Sequence, residues 1–169
     1  MDITVEKLRL EDAEAVIDFE KENRAYFEKM VPSRGDDYYY FDNFITRHHQ
    51  LLNEQSQGLS YFYLIRKTNG EILGRINFVD IDKTQNSGHI GYRVGEKHTG
   101  HGIAYRALHT LMDKLSTDGF KKIFAKTTNN NIASQKVLEK NGFKKIEESA
   151  EEFVMNGEKL RFVNYIWAI

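Results

Sequence analysis

The sequence predicts an α/β fold in which a mixed, mostly antiparallel and twisted sheet of about seven strands has helices on both faces. Two patterns support this prediction. In the first half, the strand-like residues 61–66 lead through Asn69-Gly70, the preferred dipeptide of a two-residue hairpin turn, into a second strand pattern. In the second half, strand and helix patterns alternate, which is typical of crossover connections between strands.

The N-terminal third is expected to contain one strand and two helices. Residues 3–8 alternate in polarity and predict a strand, and residues 11–27 have the spacing of an amphipathic helix. The only proline, Pro32, opens a break that extends to Asp37. A second helix is expected over residues 38–55.

The remaining elements follow from local patterns and turn residues. Gly142 is placed to end a helix in a left-handed conformation, and Asn156-Gly157 predicts a second hairpin turn. The expected elements are strands 61–66, 72–80 and 85–94, a loop 95–102, a helix 103–117, a strand 121–127, a helix 132–140, and a final hairpin of strands 144–152 and 159–168.

Length and charge narrow the class of protein. The 169 residues are expected to form a single domain over residues 1–169. With 24 basic and 25 acidic residues, the net charge of −1 gives no broad attraction to nucleic acid or to an anionic membrane. The absence of cysteine excludes disulfides and thiolate metal sites, and the acidic N-terminus does not resemble a signal peptide. We therefore expect a cytoplasmic protein that binds neither nucleic acid nor membrane.

The loop between the third strand and the following helix predicts an anion site. Its sequence, residues 93–104, is RVGEKHTGHGIA, with Gly100 and Gly102 directly before the helix. Unpaired N–H groups at a helix start carry partial positive charge, and glycine lets the main chain approach phosphate oxygens. The dinucleotide fingerprint and a Gly-Lys-Ser/Thr sequence are both absent, so the loop favours another diphosphate-bearing cofactor.

A second motif, combined with this loop, resembles a known family. Residues 131–143 read NIASQKVLEKNGF. The loop and this motif, in this order and at this spacing, resemble the GNAT superfamily of N-acetyltransferases, in which a Q/R-x-x-G-x-G/A loop precedes N-x-x-S/A and E-K-x-G-F. The match covers about residues 72–143, and it implies a GNAT-like fold, acetyl-coenzyme A as co-substrate, and no metal.

Within the superfamily, the chain looks most like the RimJ/RimL type, which acetylates the N-termini of ribosomal proteins. Ile90-Gly91-Tyr92 before the loop and Glu152-Phe153 before the second hairpin turn carry this narrower resemblance. Spermidine and some antibiotic acetyltransferases share these features. Two positions depart from the superfamily pattern.

The first departure is Thr99 at the Q/R position, which leaves the contact with the cofactor to the backbone. The second is Leu138, which stands where many members have a catalytic tyrosine. A tyrosine acid from this helix is therefore excluded, and the resemblance implies that Ser134 takes its place.

The resemblance assigns roles to residues of this chain. It implies direct transfer of acetyl from the thioester to an amine, with Ser134 donating to the departing sulfur. Glu152 is the first candidate for the base and His89 the second, although Glu152 also lies in an acidic run. The residues implied in cofactor binding are Arg93, Val94, Thr99, Gly100, His101, Gly102, Ile103, Ala104, Asn131 and Ser134.

The acceptor is the least specified part of this prediction. Tyr26, Phe27 and Tyr38 are expected to line the amine site, and Asp36 and Asp37 could attract a cationic amine or simply form a turn. The expected acceptor is the α-amine of a ribosomal or other protein N-terminus. A small amine such as a polyamine, aminoglycoside or amino acid is the alternative, as is a non-catalytic coenzyme A-binding module. Monomer and homodimer both remain open.

Overall fold

The structure, a computed structural model, describes residues 2–169. Five α-helices lie within these residues: α1 (Ala13–Glu22), α2 (Arg24–Glu28), α3 (Phe41–Ser56), α4 (Ile103–Thr117) and α5 (Ile132–Lys140). The strands are β1 (Ile3–Lys7), β2 (Tyr61–Lys67), β3 (Ile72–Asp82), β4 (Ser87–Val94), β5 (Lys122–Thr128), β6 (Lys144–Glu148), β7 (Phe153–Met155), β8 (Glu158–Leu160) and β9 (Phe162–Ala168).

Seven strands form one sheet in the order β1-β2-β3-β4-β5-β9-β6. All neighbouring pairs in this sheet are antiparallel except β4 and β5, which are parallel. β7 and β8 pair separately as a small hairpin. The prediction of a mixed, mostly antiparallel sheet of about seven strands is confirmed.

The two faces of the sheet carry separate cores because side chains alternate along each strand. On β3, Ile76 and Phe78 pack into a core with α4 and with Leu138 of α5. Val79 packs instead into the core formed with α1 and α3. Helices therefore cover both faces, as the sequence predicts.

The parallel pair β4–β5 separates halfway along its length. The two strands are in register from Ser87 opposite Lys122 to Ile90 opposite Ala125, and no pairing continues beyond that point. β4 remains paired to β3 as far as Val94, and β5 remains paired to β9 as far as Thr128. The sheet therefore opens into a wedge whose two edges carry main-chain groups that do not pair with each other.

The prediction of one helix over residues 11–27 is wrong, because the segment is interrupted at Asn23. The Asn23 side chain donates to the carbonyl of Phe19 at 2.9 Å and accepts the N–H of Glu96 at 2.9 Å. An asparagine that bonds to main-chain groups in this way competes with the helix. Asn23 thereby bonds the junction between α1 and α2 to the segment that follows β4.

The predicted terminal hairpin is correct in pairing its two strands, as β6 and β9, but wrong in joining them by one turn. Asn156 and Gly157 do form a turn, both with positive φ, but this turn joins only β7 and β8. β9 lies between β5 and β6 in the large sheet, and β6 ends at Glu148. The Asn156 amide donates to the carbonyls of Glu28 and Lys29, at 3.3 and 3.0 Å, so the small hairpin is bonded to the end of α2.

Two glycines of β4 lead to opposite predictions for stability. A Cβ on Gly88 would lie 2.4 Å from Cζ of the fully buried Phe78 ring, whereas a Cβ on Gly91 would meet nothing within 4 Å. We expect Gly88→Ala to lower the free energy of unfolding by about 1–3 kcal/mol through overpacking. Gly91→Ala, the matched control, should change it far less. Urea unfolding measures both, and equal losses would contradict the packing described here.

Candidate active site

The wedge between β4 and β5 forms the centre of a cavity of about 460 Å³. Residues 90–94 of β4 line one side and residues 125–128 of β5 the other. One end is closed by α4 and by the loop of residues 95–102, called the glycine loop below. The first residues of α5 form the floor. Tyr26, Phe27, Met30 and Val31 approach from the opposite face of the sheet. The cavity thus crosses the sheet where its strands separate.

The glycine loop presents main-chain donors to this cavity. Gly100 and Gly102 have φ values of 77° and 72°, which are favourable only for glycine, and Gly102 is the N-cap of α4. The first bond inside the helix joins the N–H of Arg106 to the carbonyl of Gly102 at 3.1 Å. The N–H groups of residues 103–105 precede that bond and have no partner inside the helix, so this end of α4 favours an anion.

Side chains of the loop are occupied elsewhere. The Thr99 hydroxyl donates to the carbonyl of Glu96 at 2.8 Å, and Nδ1 of His101 lies 3.0 Å from the carbonyl of Thr99. Lys97 is paired with Glu22 and Glu71, and its hydrogen bond to Glu22 contributes most to raising the pKa of its amine. The anion site is therefore built mainly from the backbone.

Two hydroxyl groups meet at the cavity, one from the start of α5 and one from β4. The Asn131 side chain accepts the N–H of Ser134 at 3.1 Å, which caps the helix and fixes its first turn. The hydroxyls of Ser134 and Tyr92 lie 3.1 Å apart. Burial raises the pKa of Tyr92 to about 12, so this phenol stays protonated at neutral pH. The Tyr92 hydroxyl also donates to the main-chain carbonyl of Ser134 at 3.3 Å, so two neutral and mutually bonded hydroxyls lie on the wall of the wedge.

The opposite side of the cavity contains a buried ion-pair network. The Glu20 carboxylate, which is fully buried, lies 2.7 Å from Arg75 and 3.3 Å from Arg93. The Arg93 guanidinium also stacks on the ring of Phe27 at 4.7 Å. Burial holds the pKa of Arg93 below its ordinary value, and Glu20 opposes that effect. α1 and α2 are in this way connected to the two central strands.

Most residues singled out from the sequence line this one cavity. They are Tyr26, Phe27, Arg93, Val94, Thr99, Gly100, Gly102, Ile103, Ala104, Asn131 and Ser134. Four others lie elsewhere. The His101 ring is exposed, and Tyr38 lines an adjacent second cavity. His89 is exposed and stacks on Phe124. Glu152 is exposed and pairs with Arg161 at 2.7 Å.

Sequence reasoning gave no role to Tyr92. Its position between Ile90 and Val94 on β4 was a usable signal, since alternate residues of a strand share a face. That alternation places Tyr92 on the side of the sheet covered by α4 and α5, where Ser134 lies. His98, which also lines the cavity, lies 3.2 Å from Glu71 in an orientation that does not make a hydrogen bond.

Residues 2–169 contain neither a candidate metal cluster nor a helix suited to cross a membrane. Within that range, no group of three or more His, Asp or Glu side chains is arranged to hold a metal ion. No helix in the same range combines the length and apolar character needed to cross a membrane.

Comparisons with known proteins agree with this geometry. The family model described as an acetyltransferase (GNAT) domain matches residues 2–144. The probable N-acetyltransferase YjcK of Bacillus subtilis is 28% identical over 160 residues, which are 92% of this chain and 87% of that protein.

Solved structures show the same fold. A ribosomal-protein-S5-alanine acetyltransferase from Vibrio fischeri superposes with a TM-score of 0.91 at 22% identity, covering 99% of this chain and 93% of that one. RimL, a ribosomal L7/L12 α-N-protein acetyltransferase in complex with coenzyme A, gives a TM-score of 0.89 at 21% identity, with coverages of 99% and 94%.

The cap of α5 yields a stability prediction. Asn131→Ala removes the oxygen that accepts the N–H of Ser134, and we expect the free energy of unfolding to fall by about 1 kcal/mol. Asn131→Asp keeps an oxygen at that position and should retain most of the stability. Urea unfolding of both variants measures the difference. An alanine variant as stable as the parent chain would show that the cap does not hold this turn.

Proposed function

The chain belongs to the acetyltransferase (GNAT) family, and on that premise we propose that it transfers acetyl from acetyl-coenzyme A to the α-amine of a protein or peptide N-terminus. The observation that carries the proposal is the wedge between β4 and β5, flanked by the unpaired N–H groups at the start of α4. A single domain over residues 1–169 and a cytoplasmic location remain predictions.

The residues present fit this co-substrate. A diphosphate matches the main-chain donors of residues 102–105, because such donors favour anions without requiring a lysine or arginine. An extended pantetheine arm carries amide groups that can pair with the free edge of β4 at residues 91–94, as a strand would. Asn131, which lies across the wedge, can donate its side-chain N–H to the same arm.

The bound thioester supplies the acetyl group and a thiolate leaving group. In direct transfer, a C–N bond forms as the C–S bond breaks, and the amine loses a proton. Holding the two reactants together provides much of the acceleration. Ser134 would donate a hydrogen bond to the sulfur as negative charge develops there, and Tyr92, by donating to Ser134, would hold that hydroxyl in place. Because the pKa of Tyr92 is about 12, its phenol acts here as a donor that keeps its proton.

Glu152 remains our proposal for the group that accepts the amine proton, through water. Its carboxylate is bonded to Arg161 at 2.7 Å and lies outside the residues that line the cavity. It lies directly before β7, and the β7–β8 hairpin is bonded to α2, which carries Tyr26 and Phe27. Direct contact with the amine would need Glu152 to leave Arg161, whereas a water chain would not.

Two alternatives make different predictions. A small-molecule amine acetyltransferase would turn over free polyamines, aminoglycosides or amino acids in preference to peptides. A coenzyme A-binding module without catalysis would bind acetyl-coenzyme A but release no thiol with any amine. The hydroxyl pair of Ser134 and Tyr92 supports catalysis, because a module that only binds has no use for donors at the sulfur.

Glycine substitutions at the two ends of α4 test the cofactor site. Gly102 and Gly119 both have positive φ, and a Cβ on either would meet nothing within 4 Å. Alanine should therefore strain both positions about equally, by roughly 1–2 kcal/mol. We expect only Gly102→Ala to weaken binding of acetyl-coenzyme A, by about tenfold or more, since each factor of ten is about 1.4 kcal/mol.

Titration calorimetry of the parent chain and both variants measures this effect. The parent chain should bind acetyl-coenzyme A, and the Gly119→Ala control should bind it equally well. A parent chain without measurable binding, or equal weakening in both variants, would remove the basis for the cofactor site.

The hydroxyl pair is tested by thiol release from acetyl-coenzyme A in the presence of an amine. Ser134→Ala should lower kcat by about 10²-fold, and Tyr92→Phe should lower it less because the serine remains. The double variant should lose little beyond the single serine change, since residues that act as a unit are not additive. Glu152→Gln should also lower kcat, because glutamine cannot accept the amine proton.

The Km for acetyl-coenzyme A should stay nearly constant in these variants, because neither hydroxyl contacts the diphosphate in our proposal. Near-normal turnover of Ser134→Ala and Glu152→Gln on a good acceptor would contradict the roles given to these side chains.

A further inference from the structure

A second cavity, of about 610 Å³, lies beside the wedge on the face of the sheet covered by α1 and α3. The two cavities share Val31, Gly91, Tyr92 and Arg93, so they meet at the part of β4 where the strands separate. If acetyl-coenzyme A occupies the wedge, as proposed above, this second cavity is where the acceptor reaches the thioester. The following inference rests on that proposed function.

The walls of this second cavity are strongly cationic. Four arginines line it, Arg34, Arg47, Arg75 and Arg93, and none of its lining residues is acidic. The one carboxylate that contacts this group is the buried Glu20, which bonds to both Arg75 and Arg93. A single negative charge therefore offsets four guanidinium groups, and the cavity keeps a positive excess.

The nearby acidic residues do not change this balance. Asp36 is paired with Arg24 at 2.6 Å, and neither Asp36 nor Asp37 lines the cavity. The alternative of an acidic turn that attracts a cationic amine is therefore not supported by the positions of these two side chains.

Two buried polar atoms in this cavity have no partner. Within residues 2–169, Nε of Arg75 and Oδ1 of Asn77 make no hydrogen bond, although both atoms are buried. The Arg75 side chain is only 7% exposed, so its guanidinium is fixed in place by Glu20. Buried polar atoms are nearly always bonded, and unpaired ones call for an explanation. Both residues line the cavity, although these two atoms are themselves covered by neighbouring protein atoms.

Arg34 and Arg47 provide charge at the outer part of the same cavity. Arg34 stacks on the Tyr38 ring at 4.7 Å, and Arg47 lies on the exposed side of α3, with Nη1 3.3 Å from Gln50. Neither forms an ion pair among the contacts seen in residues 2–169. Guanidinium groups in this arrangement match carboxylate and phosphate geometry.

From these observations we infer that the acceptor is a primary amine that also carries an anionic group, a carboxylate or a phosphate, close to the amine. The anion would bond to the arginines while the amine points through the shared residues of β4 toward the thioester. The positive surroundings also lower the pKa of an amine, which favours the neutral form that attacks. Polyamines and aminoglycosides, whose extra charges are positive, would be repelled.

The anionic group can belong to a peptide or to a small molecule, and matched acceptors distinguish these two sources. One arm compares the tripeptide amides Ala-Asp-Ala, Ala-Asn-Ala and Ala-Lys-Ala, in which the acid follows an N-terminal α-amine. The other arm compares glycine with glycinamide, and O-phosphoethanolamine with ethanolamine, so that only one member of each pair carries an anion, with spermidine as the cationic amine. Thiol release from acetyl-coenzyme A gives kcat/KM for each, at low and at raised salt.

The acidic member of a pair should exceed its neutral counterpart by about tenfold or more, and the cationic acceptor should be the poorest. The advantage should shrink as salt is added, because charge pairing at an open cavity is screened. The arm with the larger kcat/KM identifies a peptide or a small molecule as the source of the anion.

Variants of the cavity arginines test whether these side chains cause the preference for acidic acceptors. Arg47→Gln and Arg34→Gln, both at exposed positions, should each reduce the acidic-to-neutral ratio several-fold. The matched control is Arg9→Gln, an exposed arginine that pairs with Glu11 and lines neither cavity, and it should leave the ratio unchanged. A merely structural role of Arg34 or Arg47 would lower all acceptors together.

Calorimetry with acetyl-coenzyme A separates failure of this inference from failure of the proposed function. If the chain binds acetyl-coenzyme A but acetylates neutral or cationic amines as well as acidic ones, the inference is overturned and the proposed function stands. Binding without turnover on any acidic amine also overturns the inference. If acetyl-coenzyme A does not bind, both are overturned.

Discussion

The separation of β4 from β5 is the constraint on which the rest of the site depends. The parallel pairing ends at Ile90 and Ala125, while β4 stays bonded to β3 and β5 to β9. Each strand is thus held on one edge and open on the other. Main-chain groups that are shielded from water without a partner are costly. A cleft lined by such an edge favours a ligand that brings its own amides, and the adjacent start of α4 favours one that brings an anion.

The two helices at the N-terminus connect this cleft to the acceptor side. Glu20 on α1 joins Arg75 of β3 to Arg93 of β4. Asn23 bonds to the main chain of Glu96, in the glycine loop. A buried ion pair is weak evidence for stability, because desolvation offsets much of its attraction. Its clearer consequence is position, since Glu20 fixes the guanidinium of Arg75 in the second cavity and that of Arg93, which lines both cavities. The anion site and the arginine-lined cavity are therefore parts of one connected framework.

The parts of the site that the sequence predicts are those encoded locally. Gly100 and Gly102 both adopt positive φ, which glycine allows at little cost, and Asn131 is a good cap for its helix whatever lies nearby. The wrong predictions all depend on contacts between distant residues. The helix interruption at Asn23 requires Glu96, and the separate β7–β8 hairpin requires the end of α2. The charge of the second cavity was likewise hidden, because its four arginines come from separate segments.

The central claim, that the open edge of β4 and the start of α4 together hold acetyl-coenzyme A, is tested most directly by amide hydrogen exchange with and without that molecule. We expect protection to rise in two segments, residues 91–94 and 102–105, with little change in β1 at the far edge of the sheet. Protection confined to other segments, or no change at saturating acetyl-coenzyme A, would contradict it.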